Sequence, residues 1–269
     1  MTNAIAETAQ EPMPYKLSAP RKAPRKGMPT RGLIFLTGLP KSGKNTIALS
    51  KPGLCLLETE IDGSEHLDGW VEATNDLTTF RQAFRAAVEH PDCTGIGVST
   101  TDKLIGWWQA EIMERFGVES MHANIEGVNL WQELRKSVEG FVHYSKTCGK
   151  LVVALAHYKE PKLDKEGRLV ITQNIDAPGK LGGFLCAEAD LIGACSKSKV
   201  GGKMQFKISF VGGGEVGAFG GRVKELEGKE IILPYENQWA AIEAACVADA
   251  KEIAPPAGKT DTNKDKRRK

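Results

Sequence analysis

Residues 38 to 46 read Gly-Leu-Pro-Lys-Ser-Gly-Lys-Asn-Thr, one letter away from the phosphate-binding pattern G-x-x-x-x-G-K-[ST]. Gly38 and Gly43 let backbone N–H groups close around a phosphate, and Lys44 offers a mobile cation to the terminal phosphates of a nucleotide. In the usual loop the Ser or Thr after the lysine gives its hydroxyl to Mg²⁺. Asn45 stands in that place here, with only an amide oxygen on a longer side chain. Thr46 follows it, but one helical step turns it by about 100°, so it does not simply substitute. The stretch Gly38, Leu39, Pro40, Lys41, Ser42, Gly43, Lys44, Asn45, Thr46 is therefore expected to hold ATP by its phosphates. Mg²⁺ is the expected companion ion, with its geometry disturbed at Asn45.

Such a loop works only between a buried strand and a helix, and the flanking sequence supplies both. Residues 32–37 (GLIFLT) are a short apolar run, and residues 43–50 read as a helix opening in the loop. Residues 53–60 (GLCLLETE) form a second apolar strand that ends in carboxylates. A carboxylate at the carboxyl end of a strand beside the loop can orient water against a terminal phosphate. Residues 76–90 carry Leu77, Phe80, Phe84 and Val88 at helical spacing, with Asp76 as N-cap. Residues 94–101 read as a third strand followed by a helix through DKLIGWWQAEIMERF, 129–148 as a further helix, and 150–157 as a fourth strand. DLIGACSKS and MQFKISF read as two strands around the turn KVGGK. Strands alternating with helices predict an α/β fold: a mainly parallel central sheet, helices on both faces, and a C-terminal antiparallel extension.

In this order the motifs resemble the RecA-like P-loop NTPases, and among them the phage-encoded nucleotide-binding ATPases of the recombinase and single-strand annealing group. The resemblance spans residues 32 to about 243. It implies Glu60, with Glu58 beside it, as the general base, and His157 at the end of VVALAH as the sensor of the terminal phosphate. It places Ser99, in IGVSTTDKL, where the family has the aspartate that steadies Mg²⁺, so both metal positions, Asn45 and Ser99, are altered. Asp102, three residues on, is better explained as a helix cap. The resemblance makes the segment after His157 a DNA-contacting loop through Lys159, Lys162, Lys165 and Arg168, although a plain solvated loop accounts for the same residues. Trp107 and Trp108 read either as base-stacking groups or, more simply, as core. In CSKSKVGGKMQFKISF it implies that Lys197 and Lys199 reach into a neighbouring subunit's ATP, where Arg222 is a weaker candidate. ATP at a subunit interface implies a homo-oligomer, ring or filament.

Composition bounds the rest. The 269 residues, enough for one large domain or two small ones, are 41% hydrophobic and 26% charged, ordinary for a globular chain that can bury a large fraction of its surface. Six scattered cysteines (55, 93, 148, 186, 195, 246) form no C-x-x-C pair, which argues against a zinc ribbon or a disulfide scaffold. No apolar run approaches bilayer length and no signal peptide opens the chain, so the expectation is a cytoplasmic protein with no membrane partner. The net charge of +2 is concentrated in basic, proline- and alanine-rich ends. We divide the chain into a disordered basic arm (1–31), a RecA-like ATP-binding domain (32–248) and a disordered basic tail (249–269). The ends serve as solubilising tails or as weak attractors of nucleic acid phosphates. Two functions fit: an ATP-binding protein that loads on single-stranded DNA and works with a single-strand annealing protein, or a nucleotide-binding pseudoenzyme serving as an assembly module. A small-molecule kinase lacks an acceptor lid and leaves the K-x-K hairpin unexplained.

Overall fold

In β1 (Gly32–Thr37) alternate side chains enter opposite cores: Leu33 and Phe35 one, Ile34 and Leu36 the other. A strand buried on both faces must have helices on both, and the computed structural model, which describes residues 27–60, 63–159, 162–163, 166, 169–171, 174–212 and 219–248, has this layering. The chain ends and Lys165 and Arg168 lie outside the described residues.

From β1 the chain enters α1 (Lys44–Leu49), β2 (Leu54–Glu58), β3 (Trp70–Ala73), α2 (Leu77–Glu89), β4 (Gly95–Ser99), α3 (Thr101–Phe116), α4 (Leu130–Thr147) and β5 (Leu151–Ala156). A small ribbon follows: β6 (Tyr158–Lys159) pairs with β9 (Asn174–Ile175), and β7 (Lys162–Leu163) with β8 (Leu169–Ile171). Then come α5 (Leu181–Glu188), β10 (Leu191–Val200), β11 (Lys203–Ser209), β12 (Gly220–Gly221), β13 (Glu230–Leu233) and α6 (Gln238–Ala248). The main sheet runs β13-β11-β10-β1-β5-β4-β2-β3, with β12 also on β10. The six strands from β10 to β3 are parallel, and β11, β12 and β13 are antiparallel additions. This is the expected α/β arrangement, a mainly parallel sheet with helices on both faces, with a larger antiparallel edge than one hairpin.

Helices α2 to α5 cover one face and α1 with α6 the other. Asp76 caps α2 as its sequence predicts: its carboxylate accepts from Thr79 N at 2.7 Å, while Thr79 Oγ1 accepts from Asp76 N at 3.2 Å. Trp108 is buried, its ring 5.7 Å from Phe141, and Trp107 packs on the same core, so core packing accounts for both tryptophans. Among the described residues, no helix is long and apolar enough to cross a membrane.

Candidate nucleotide-binding site

The carboxyl ends of β1, β5, β4 and β2 form one rim, and the loops leaving them carry nearly every polar residue singled out above. Gly43 closes the loop in a left-handed conformation (φ 93°), and a Cβ there would lie 2.6 Å from the Phe206 ring. A Cβ on Gly38 would meet the Cys195 carbonyl and Ser42 Oγ, each at 2.5 Å. Contact requires both glycines, and at Gly43 conformation does too. Lys44 Nζ donates to the carbonyls of Gly38 and Leu39, both at 3.0 Å, which holds the amine inside its own loop. Burial lowers the Lys44 pKa from its usual 10.5, against the attraction of Cys195, Asp102 and Glu60. Ser42 Oγ is buried without a hydrogen-bond partner among the described residues. A nucleotide's phosphates would supply what both groups lack, so the loop fits that ligand.

The magnesium positions tell a different story. Asn45 and Ser99, 54 residues apart, meet: Ser99 Oγ donates to Asn45 Oδ1 at 3.1 Å. The amide's other end donates to Ser64 Oγ at 2.8 Å. Ser99 and Ser64 are 1% and 3% exposed, so this chain of three side chains is largely dry. Thr59 stitches the neighbouring strand end, its hydroxyl donating to Ser99 O at 3.0 Å and accepting from Thr100 N at 2.9 Å. Mg²⁺ asks for carboxylates and hard oxygens in octahedral geometry. An amide and a hydroxyl satisfied by each other do not fit it. Among the described residues no group of three or more His, Cys, Asp or Glu could hold a metal.

Glu60 is exposed at the rim and accepts from Thr100 Oγ1 at 3.2 Å, while Glu58 is buried at the end of β2. Gly63 lies against both; a Cβ there would be 2.9 Å from Glu58 Oε1 and 3.6 Å from Glu60 Oε2. His157 follows β5, next to β1. Its Nδ1 lies 3.1 Å from Asp102 Oδ2, and its backbone N–H donates to Oδ1 at 3.4 Å. This corrects the reading of Asp102 as a cap. Thr100 holds the N-cap position of α3, and the Asp102 carboxylate turns across to the adjacent strand end.

Lys197 and Lys199 are both exposed on the part of β10 that runs past the end of β1. The Lys197 amine sits 5.1 Å from the Phe206 ring centroid, on the flank of its own loop. Arg222 is at the opposite end of the sheet, bound to Asp190 at 2.8 Å, and Asp190 in turn accepts from Leu33 N at 3.0 Å. It braces the amino end of β1, away from its own phosphate loop. Lys159 also has an internal partner: its amine donates to the Ala177 carbonyl and lies 3.5 Å from Asp176, at the foot of the ribbon. Lys162 is on β7 of that ribbon. Thr59, Ser64 and the pairing of Asp102 with His157 escape sequence reasoning. No motif marks Thr59 or Ser64, and His157, marked at the end of VVALAH, meets Asp102 only through the strand order.

A strand, a glycine loop and a helix at the centre of a parallel sheet, with a buried lysine turned into the loop, define a P-loop nucleotide-binding domain. A family described as "AAA domain" matches residues 31–220, and the chain belongs to that family. No curated protein matches the chain. Among solved structures, the flagellar accessory protein FlaH of Methanocaldococcus jannaschii is similar at 11% identity and a TM-score of 0.34, over 76% of this chain and 85% of that one.

Proposed function

We propose that the chain binds ATP through Gly38–Thr46 and uses it to assemble on single-stranded DNA, in phage-type recombination or annealing beside a single-strand annealing protein. The observation that carries the nucleotide part is the pairing of a buried Lys44, held by loop carbonyls, with a buried Ser42 hydroxyl that has no partner among the described residues. For the DNA part, the ribbon bearing Lys159 and Lys162 leaves the sheet immediately after His157, whose ring and backbone share Asp102. Phosphate contacts from such a ribbon would position the strand without reading its bases. Lys197 and Lys199, exposed on the projecting hairpin, serve an ATP held by the next subunit of a homo-oligomer. ATP then acts chiefly as an assembly switch, since a ligand bound at an interface stabilises the assembled state.

One observation favours a second reading, a nucleotide-binding pseudoenzyme acting as an assembly module: the hydrogen bond joining Asn45 to Ser99. ATP turnover with and without single-stranded DNA, measured beside an Asn45→Thr/Ser99→Asp variant, decides between them. Turnover of the unaltered chain stimulated by DNA supports the recombination reading. Silence there with turnover in the variant supports the pseudoenzyme, and DNA-insensitive turnover in both removes the DNA role.

A further inference from the structure

The nucleotide of this site, we infer, is bound free of divalent metal: the ligand is the bare nucleoside polyphosphate, and the Asn45–Ser99 hydrogen bond replaces the metal that would otherwise tie the loop helix to the neighbouring strand end. This rests on the nucleotide-binding reading above. Three observations lead to it. The residue after the loop lysine and the residue at the end of β4, the two positions that the resemblance assigns to a metal, bond directly at 3.1 Å. The Asn45 amide is also held from behind by Ser64 at 2.8 Å, and either orientation of that amide spends both its ends on the two hydroxyls. Freeing it for a cation would strand Ser64 and Ser99, both almost fully buried. Finally, two nearby carboxylates are engaged within the chain: Glu60 with the Thr100 hydroxyl and Asp102 with His157.

Without a metal, phosphate charge must be met by the chain. Lys44 lies inside the loop and Lys41 on its exposed crest. The same network also takes over the metal's mechanical role, because it fixes α1, the end of β4 and the loop holding Ser64 to one another before any ligand arrives.

The test is calorimetric titration of the full chain with ATP and with ADP, in excess magnesium and in excess EDTA, beside Lys44→Ala and Asn45→Thr/Ser99→Asp. The expected result is affinity in EDTA no more than about threefold below that in magnesium, and higher wherever excess magnesium sequesters the bare nucleotide. A larger loss on chelation overturns the inference and leaves the nucleotide site standing. Binding in neither condition, or binding that persists in Lys44→Ala, overturns the nucleotide site itself and the inference with it. The double variant should gain a metal requirement, weakening by about tenfold or more in EDTA, because its new carboxylate repels phosphate unless a cation lies between them. Equal affinity of a folded double variant in both conditions shows that Asn45 and Ser99 are not what removes the metal, and also overturns the inference.

Discussion

Replacing Asn45 with alanine deletes both hydrogen bonds of the rim network and leaves the hydroxyls of Ser64 and Ser99 in dry surroundings. Each side-chain bond contributes about 1 kcal/mol net, and each stranded buried hydroxyl costs about as much again, so the loss should be about 4 kcal/mol. Ser99→Ala removes one bond and frees the half-buried Asn45 oxygen, which water can reach, so its loss should be about 1 kcal/mol. The two single losses both count the shared bond, and the double variant no longer strands the Ser99 hydroxyl, so it should lose about 3 rather than about 5 kcal/mol, a coupling of about 2 kcal/mol. Denaturant unfolding of the four proteins measures this, and the larger losses should appear as a melting temperature lower by roughly 6–16 °C. Additivity within about 0.3 kcal/mol would refute the reasoning, because residues that do not touch add in that way.

Lys197→Ala with Lys199→Ala should weaken ATP-dependent assembly in light scattering or sedimentation; unchanged assembly removes the trans-acting role. Both residues are exposed, so the double variant should unfold within about 1 kcal/mol of the parent, most of it from the lost contact of Lys197 with the Phe206 ring. Burial lowers the Lys44 pKa from 10.5, so the folded chain sheds that proton before the unfolded chain does. Across the window ending at 10.5 the unfolded state binds more protons, and stability contributed by this residue rises with pH. Phosphate favours the charged amine, so nucleotide affinity falls through the same window. Unfolding of Lys44→Met as a function of pH should lack that rise, and an identical pH slope in both proteins would refute the assignment.

The parts legible in the sequence are those whose signal is local. The apolar runs of β1, β2, β4 and β5 are buried on both faces, and Asp76 caps α2 because a carboxylate three residues before Thr79 needs no distant partner. Elements with weak patterns escaped. β3 is a four-residue edge strand, half exposed, whose sequence WVEA does not alternate cleanly. α5 starts LGG, and α6 is apolar nearly all round, so neither shows a 3.6-residue period. At the site, the loop and its unusual asparagine were legible, but the bond from Asn45 to Ser99 was not. It depends on the order β1-β5-β4-β2, which brings the strand end carrying Ser99 over the first turn of α1. Asp102 was misjudged for the same reason, since a first-turn carboxylate is an ordinary cap until a neighbouring strand end competes for it.

The sheet order also sets a timetable for the ribosome. β1 carries the phosphate loop, yet its two neighbours are β5 and β10, with Leu33 beside Val152 and Ile34 beside Leu191. When the loop emerges, neither partner exists. At the usual ~10 residues per second, roughly ten seconds pass before β5 can pair, and several more before β10 closes the other edge. Throughout that interval GLIFLT is an apolar strand with two open edges at first and one after β5 pairs, the kind of segment that pairs with whatever it meets. A nascent chain arrested between β5 and β10 should therefore need a chaperone more than one arrested after Val200.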